Sequence, residues 1–249
     1  MGKAILHIHS TFSDGEPTVG QILDDVERNS DVDVVGITDH DDVRSYAAAM
    51  EWKTNHPDSR VQPLFGIELT TWAFKHILIY IFQPPFPTRT FKKFMPLGKA
   101  VQAGKAAGGL VIVPHVDAIW VGMGRHRLER QFQQLGVDGI ELFTPVPFAR
   151  GAIEKLAEMN QRCQLVELGG SDAHHLEDLY RVVVEFHGHS LADFDLAIRS
   201  GTTSVRWGAD GPKVPVGRQV RQHTRALLGH PWEQFQAWGQ EKRSRRKSS

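Results

Sequence analysis

Short apolar runs alternate with amphipathic stretches from about residue 3 to about residue 203. Ile5-Leu6-His7-Ile8 reads as a strand in which Leu6 and Ile8 face one way while His7 and His9 face the other, at period two. Val19, Ile22, Leu23 and Val26 then recur at helical spacing behind Pro17 and Thr18, residues suited to a helix start. A second strand over 33–38 leads to a helix over 43–54, with Tyr46, Ala47 and Met50 as its core stripe. Strands over 61–69 and 76–82 follow, joined by a short loop containing Trp72. The prolines of 83–88 form a rigid connector, and a helix runs from there to Ala107. A strand over 110–113 precedes an irregular stretch with Trp120, Gly122 and Gly124, which reads as a covering loop or lid. A strand over 137–142, a helix over 149–160, and strands over 164–168 and 180–186 continue the alternation. Ser190 caps a last helix, ended by Gly201. This β-α-β-α order predicts a parallel sheet with helices outside it, an α/β barrel.

The polar residues that end these strands carry the chemistry. His7-x-His9 is followed by Ser13-Asp14-Gly15, where a tight turn at Gly15 swings the Asp14 carboxylate back over the strand end. Later apolar runs stop at Asp39-His40-Asp41, Glu68, His115 and Asp172-Ala173-His174. His-x-His alone fits two core histidines equally well, but five such endings do not fit core satisfaction. Imidazole with carboxylate suits zinc, manganese or iron better than calcium, and the chain has no cysteine cluster for a closed structural zinc site. A catalytic metal site is expected.

These motifs resemble the PHP family, the polymerase and histidinol phosphatase superfamily, over about residues 3–203. They stand as His7-x-His9 with Ser13-Asp14-Gly15, Thr38-Asp39-His40, Gly66-Ile67-Glu68, His76, Pro114-His115 and Ser171-Asp172-Ala173-His174. The resemblance implies a distorted (β/α)7-type barrel and two to three divalent metal ions. The first would sit among His7, His9, Glu68 and Asp172, the second among Glu68, His76 and His115, and the third among Asp14, His40 and His174. Glu68 would bridge the first two, and Glu68, Asp172 and His174 would stand at the reaction itself. Two departures narrow the likeness. Histidine often replaces Asp14 in the histidinol phosphatase and polymerase-associated branches, whereas smaller PHP phosphoesterases carry aspartate. Between His76 and His115 there is only the proline connector and one helix, without the inserted domain of the branch that acts on nucleotide phosphates.

The implied reaction is hydrolysis of a phosphate ester, phosphomonoesters favoured, in which the ions lower the pKa of a shared water and supply hydroxide in line with phosphorus. Lys75 and Arg150 are candidate phosphate contacts. Glu141 also ends a strand and is a candidate to orient a ligand from behind, and Asp39 or Asp41 is a candidate hydrogen-bond acceptor for a ligand imidazole. Trp72 and Trp120 are candidates to stack on a base or sugar.

Composition adds three constraints. With 41% hydrophobic and 23% charged residues and no long apolar run, the chain reads as a soluble protein with no membrane partner. One cysteine, Cys163, and a strand close to the amino terminus point to a cytoplasmic location. The zero net charge conceals an asymmetry: 204–249 carry ten Lys and Arg against Asp210, Glu233 and Glu241. The expected organisation is therefore a barrel over 1–203 and a basic C-terminal extension over 204–249, with packed helices and then a disordered tail. Besides a small phosphorylated substrate, two alternatives stand: a nuclease or nucleotide phosphatase that uses the basic tail on nucleic acid, and a non-catalytic PHP interaction module.

Overall fold

The computed structural model describes residues 1–87, 89–145 and 153–224. Its nine strands are β1 (Gly2–Ile8), β2 (Val34–Ile37), β3 (Gln62–Thr70), β4 (His76–Ile81), β5 (Leu110–Val113), β6 (Gly139–Phe143), β7 (Val166–Gly169), β8 (Val182–Phe186) and β9 (Ser204–Trp207). They form one sheet in the order β7-β6-β5-β4-β3-β2-β1-β8-β9. The sheet curls into a nearly closed barrel. Beyond β7, Ser171 N–H donates to the Leu6 carbonyl at 3.0 Å and Ala173 N–H to that of His7 at 3.1 Å, tying the chain back to β1. On the same seam Phe143 of β6 meets Trp207 of β9, with ring centroids 5.4 Å apart.

Among the described residues there are seven α-helices: α1 (Val19–Asn29), α2 (Arg44–Asn55), α3 (Leu97–Ala106), α4 (Arg125–Leu135), α5 (Ile153–Cys163), α6 (Leu191–Arg199) and α7 (Val216–Thr224). Apolar packing follows from this layering. Leu6, Leu64, Tyr80, Ile112 and Val184 belong to a core inside the barrel, which also takes in Phe194 of α6. The Phe194 ring lies 4.8 Å from that of Phe186, at the mouth opposite the carboxyl ends of the parallel strands, and so plugs the barrel floor. Two further clusters lie under the outer helices, one beneath α3 to α5 and one beneath α1 and α2.

Several expectations are corrected. α2 buries Ser45, Ala49 and Trp52; of the expected stripe Tyr46 packs against Phe65 and Phe86, whereas Ala47 and Met50 are exposed. The indole of Trp52 donates to Asp24 of α1 at 2.8 Å, and this fixes which face turns inward. The irregular stretch after β5 ends in α4, which the sequence reading did not include. The sheet also runs past residue 203, because β9 pairs antiparallel with β8. Within the helix expected over 149–160, the described part begins at Ile153; the part of the expected basic extension from residue 225 onward lies outside the described residues. No helix among the described residues is long and apolar enough to cross a membrane.

β4 departs from the parallel rule in a way that matters for the site. It runs antiparallel to β3, pairing Thr70 with His76, so its first residue lies at the carboxyl end of its neighbour. His76 therefore reaches the same rim as the residues that end β1, β2, β3 and β5.

Candidate metal centre

The centre begins with a distortion of β1. The register against β2 shifts between Leu6 and Ile8, and His7 sits in the left-handed region at φ +58°. Simple alternation is broken there, yet His7 and His9 still converge, with ring centroids 5.2 Å apart. His115 (φ +29°) and Asp172 (φ +45°) have the same unusual backbone. Non-glycine residues in this region cost about 1–3 kcal/mol each, and such strain concentrates where a site holds its groups in place.

The turn after His9 is held by Asp39. Its carboxylate accepts from the Ser10 amide at 2.8 Å, the Ser10 hydroxyl at 2.7 Å and the Ser13 hydroxyl at 2.5 Å. The chain passes so close that a Cβ on Gly15 would lie 2.1 Å from the His9 carbonyl oxygen, so close approach, not a positive φ, explains the glycine. Asp14 is thereby brought against His174, with Oδ2 3.2 Å from Nε2. Asp39 thus shapes a loop and does not accept from a ligand imidazole. Asp41 accepts the Thr70 amide at 2.8 Å and pairs with Lys93 at 3.3 Å.

Glu68 stands at the centre. Its Oε1 lies 2.8 Å from His76 Nδ1 and 3.1 Å from His115 Nε2. Its Oε2 lies 3.1 Å from His7 Nε2, 3.2 Å from His9 Nε2 and 3.3 Å from His40 Nδ1. Asp172 Oδ1 completes the His7 and His9 group at 3.4 and 3.2 Å, and it lies 3.8 Å from His174 Nδ1. Among the described residues three sets have donor atoms close enough to surround one ion: His7, His9, Glu68 and Asp172; His9, Asp14, His40 and His174; and His40, Glu68 and His76. The nine sequence candidates are therefore gathered in one place. His9 and His40 each belong to one set more than the sequence reading gave them, and His115 approaches through Glu68.

Hydrogen bonding within the protein does not account for this cluster. Both ring nitrogens of His9, Asp14 Oδ1, His40 Nδ1 and His115 Nδ1 are buried without an aligned hydrogen bond. Buried polar atoms are ordinarily satisfied, so nitrogen and oxygen donors that crowd together without aligned bonds fit a shared cation. Electrostatics agree. Burial opposes charge on His9, but Asp172 and Glu68 outweigh it and hold its pKa at about 10. Burial dominates at His40 and lowers its pKa to about 3. Burial would raise Glu68 and Asp14, yet the imidazoles around them, His40 and His7 for Glu68 and His174 and His40 for Asp14, keep both well below the carboxylate range.

Glu141 lies behind the cluster, buried, with Oε1 2.8 Å from His7 Nδ1 and Oε2 accepting the His115 amide at 3.0 Å. Gly170 makes this possible, since a Cβ there would lie 1.9 Å from Glu141 Oε1. Lys75 does not face the donors; its ammonium donates to the Trp120 carbonyl at 2.7 Å and ties down the loop after β5. Trp72 and Trp120 are 74% and 84% exposed. Arg150 lies outside the described residues. Sequence reasoning missed Gln222 of α7, whose amide donates to Asp14 Oδ2 at 3.3 Å. No local pattern signals a contact between residues so far apart in the chain.

A PHP-associated family model matches residues 154–203. No curated protein matches the sequence. Among solved structures, a two-domain protein from Bacteroides vulgatus, described as containing a predicted PHP-like metal-dependent phosphoesterase, is similar with a TM-score of 0.64 and 18% identity over 83% of this chain. This chain spans 64% of that protein, less than two thirds of its length. PsfC from Pseudomonas syringae is similar with a TM-score of 0.63 and 17% identity, covering 90% of this chain and 99% of its own. The lesion-specific endonuclease PfuEndoQ from Pyrococcus furiosus has a TM-score of 0.56 and 14% identity, over 82% of this chain and 57% of its own. The barrel is therefore the fold of PHP-like metal-dependent phosphoesterases. Together with the match over 154–203 it supports membership of the PHP superfamily, the family the motifs resemble.

Proposed function

We propose that the protein is a metal-dependent phosphoesterase that hydrolyses a small phosphate ester, phosphomonoesters favoured, with two to three divalent ions of zinc, manganese or iron. The observation that carries the reading is Glu68, a buried carboxylate within 3.3 Å of five imidazole nitrogens. One carboxylate has two oxygens to share between neighbouring cations. His7, His9, Glu68 and Asp172 would hold the first ion, Glu68, His76 and His115 the second, and Asp14, His40 and His174 the third, with His9 beside them. Bound there, such ions supply Lewis acidity and a water of lowered pKa.

The side chains divide the remaining work. His7, His9 and Glu68 are sealed from solvent and fix positions, whereas His40, Asp172 and His174 keep 19%, 21% and 17% of their side-chain surface exposed. Substrate therefore meets the cluster on the His40, Asp172 and His174 side. Glu141 restrains His7 so that Nε2 stays aimed at Glu68. A non-catalytic module has no need of nine converging donors, and their presence favours catalysis. The likeness in fold to an endonuclease keeps phosphodiesters, including nucleic acid, among the substrates to try.

Elemental analysis of the purified protein, followed by a panel of sugar phosphates, nucleotides, cyclic diesters and short oligonucleotides, tests the proposal. Two or three equivalents of transition metal and turnover of a monoester are expected. Metal-loaded protein inert on every ester would overturn it, and a preference for oligonucleotides would move the reading to a nuclease.

A further inference from the structure

Among the described residues, the C-terminal extension reaches the centre through α7. On α7, Arg218, Arg221 and Gln222 are spaced i, i+3 and i+4 and so share a face. Arg218 is held at both ends: its guanidinium is 2.9 Å from Glu16 Oε2 and 2.5 Å from Glu177 Oε1. One turn further on, Gln222 donates to Asp14. Between the helix and the turn after β1 lies a cavity of about 160 Å³, lined by Asp14, Gly15, Glu16, Arg218, Arg221 and Gln222.

The charges in this cavity are unequally committed. Glu16 is paired with Arg218, and Asp14 with His174. Arg218 is engaged by two carboxylates. Arg221 is exposed and has no hydrogen-bond or ion-pair partner among the described residues. Among the described residues it is thus the cavity's unpaired cation, and Asp14 of the donor cluster lines the same cavity.

We propose that Arg221 is a phosphoryl-binding residue of this site, supplied by the C-terminal segment, and that Arg218 is the latch that seats α7 and positions it. The inference rests on the phosphoesterase reading for its substrate. An oxyanion held at the Asp14, His40 and His174 end of the cluster would present its outer oxygens to the guanidinium, whose planar fork of N–H donors suits phosphate. Cations bound in the cluster offset the carboxylates on the cavity wall, so phosphate binding depends on both the ions and Arg221.

The test measures inorganic phosphate binding calorimetrically on the metal-loaded full chain, for wild type, Arg221→Ala, Arg221→Lys and Arg218→Ala, with metal content determined for each. Arg221→Ala is expected to weaken phosphate about tenfold with metal content unchanged, and Arg221→Lys to weaken it less. Arg218→Ala is expected to weaken phosphate comparably and to speed amide exchange across 216–224, because the latch is gone. A phosphate affinity in Arg221→Ala within about twofold of wild type, loss of metal in that variant, or wild type that binds no phosphate would overturn the inference. Because the readout is binding, the two readings fail separately. Phosphate bound through Arg221 with no ester turned over removes the phosphoesterase activity and leaves the anion site, while ester turnover indifferent to Arg221 removes the anion site alone.

Discussion

Glu141 Oε1 and His7 Nδ1 lie 2.8 Å apart, both groups buried, and the other nitrogen of the same ring lies 3.1 Å from Glu68. One carboxylate thus sets the orientation of an imidazole whose far side meets the proposed bridging carboxylate. Partners of this kind typically change metal affinity by about 10–100-fold when removed. Glu141→Gln keeps the shape and removes the charge. It is expected to lower metal affinity by about that factor with little change in melting temperature, measured by competition with a chromophoric chelator. Unchanged affinity would mean that Glu141 only fills space.

The pH dependence of the chelated protein follows from His9, with His7, His115 and His174 raised in the same direction by the carboxylates around them. The His9 pKa is raised from 6.5 to about 10, so the stability contributed by its charged form is complete below 6.5 and is lost as pH rises through 10. Above 6.5 His40, lowered to about 3, and the depressed Glu68 do not change charge. The chelated protein is therefore expected to lose melting temperature steadily between pH 6.5 and 10. Ligation needs neutral imidazole, so metal binding at pH 7 should release protons, and calorimetry in buffers of different ionisation enthalpy measures them. A melting temperature that does not change with pH would contradict charged imidazoles in the cluster, His9 among them.

Stability and chemistry should separate at the barrel floor. Phe194 is fully buried against Phe186 and Phe82. Phe194→Ala leaves a cavity and should cost about 3–5 kcal/mol in denaturant unfolding. Metal content per folded molecule should hold, since the donors lie at the opposite mouth.

Deleting residues 241–249 should leave hydrolysis of a small ester unchanged, because that segment carries no imidazole and only one carboxylate, Glu241. If its basic run contacts nucleic acid, the deletion should weaken oligonucleotide binding and flatten its salt dependence. Loss of small-ester hydrolysis would place part of the site in the tail.

The strand endings were legible because an apolar run that stops at a histidine or carboxylate is a local pattern, and β1, β2, β3 and β5 all show it. His76 was named from the family resemblance; its own position, opening a strand, makes sense only once β4 is seen to run against β3. The bulge at His7 was invisible, since two histidines two residues apart look the same with or without it. α4 was missed because only Leu128 of its residues is buried and most of the rest are charged or amide side chains. β9 was missed because it is a four-residue edge strand with no fully buried side chain. Asp39 looked like a partner for His40, but its role as an acceptor for Ser10 and Ser13 depends on how the turn folds back. The approach of α7 to Asp14 is tertiary packing, which no periodicity encodes.

The most direct test of the central claim compares metal binding by wild type and Glu68→Gln. Both proteins are stripped with chelator, reloaded with zinc or manganese, desalted and analysed for bound metal, with circular dichroism as the check on folding. If Glu68 bridges two cations at the heart of the site, wild type should retain two to three ions per chain. The variant should then lose most of them, together with phosphatase activity, while keeping its fold. A folded Glu68→Gln protein with wild-type metal content and turnover would contradict the account.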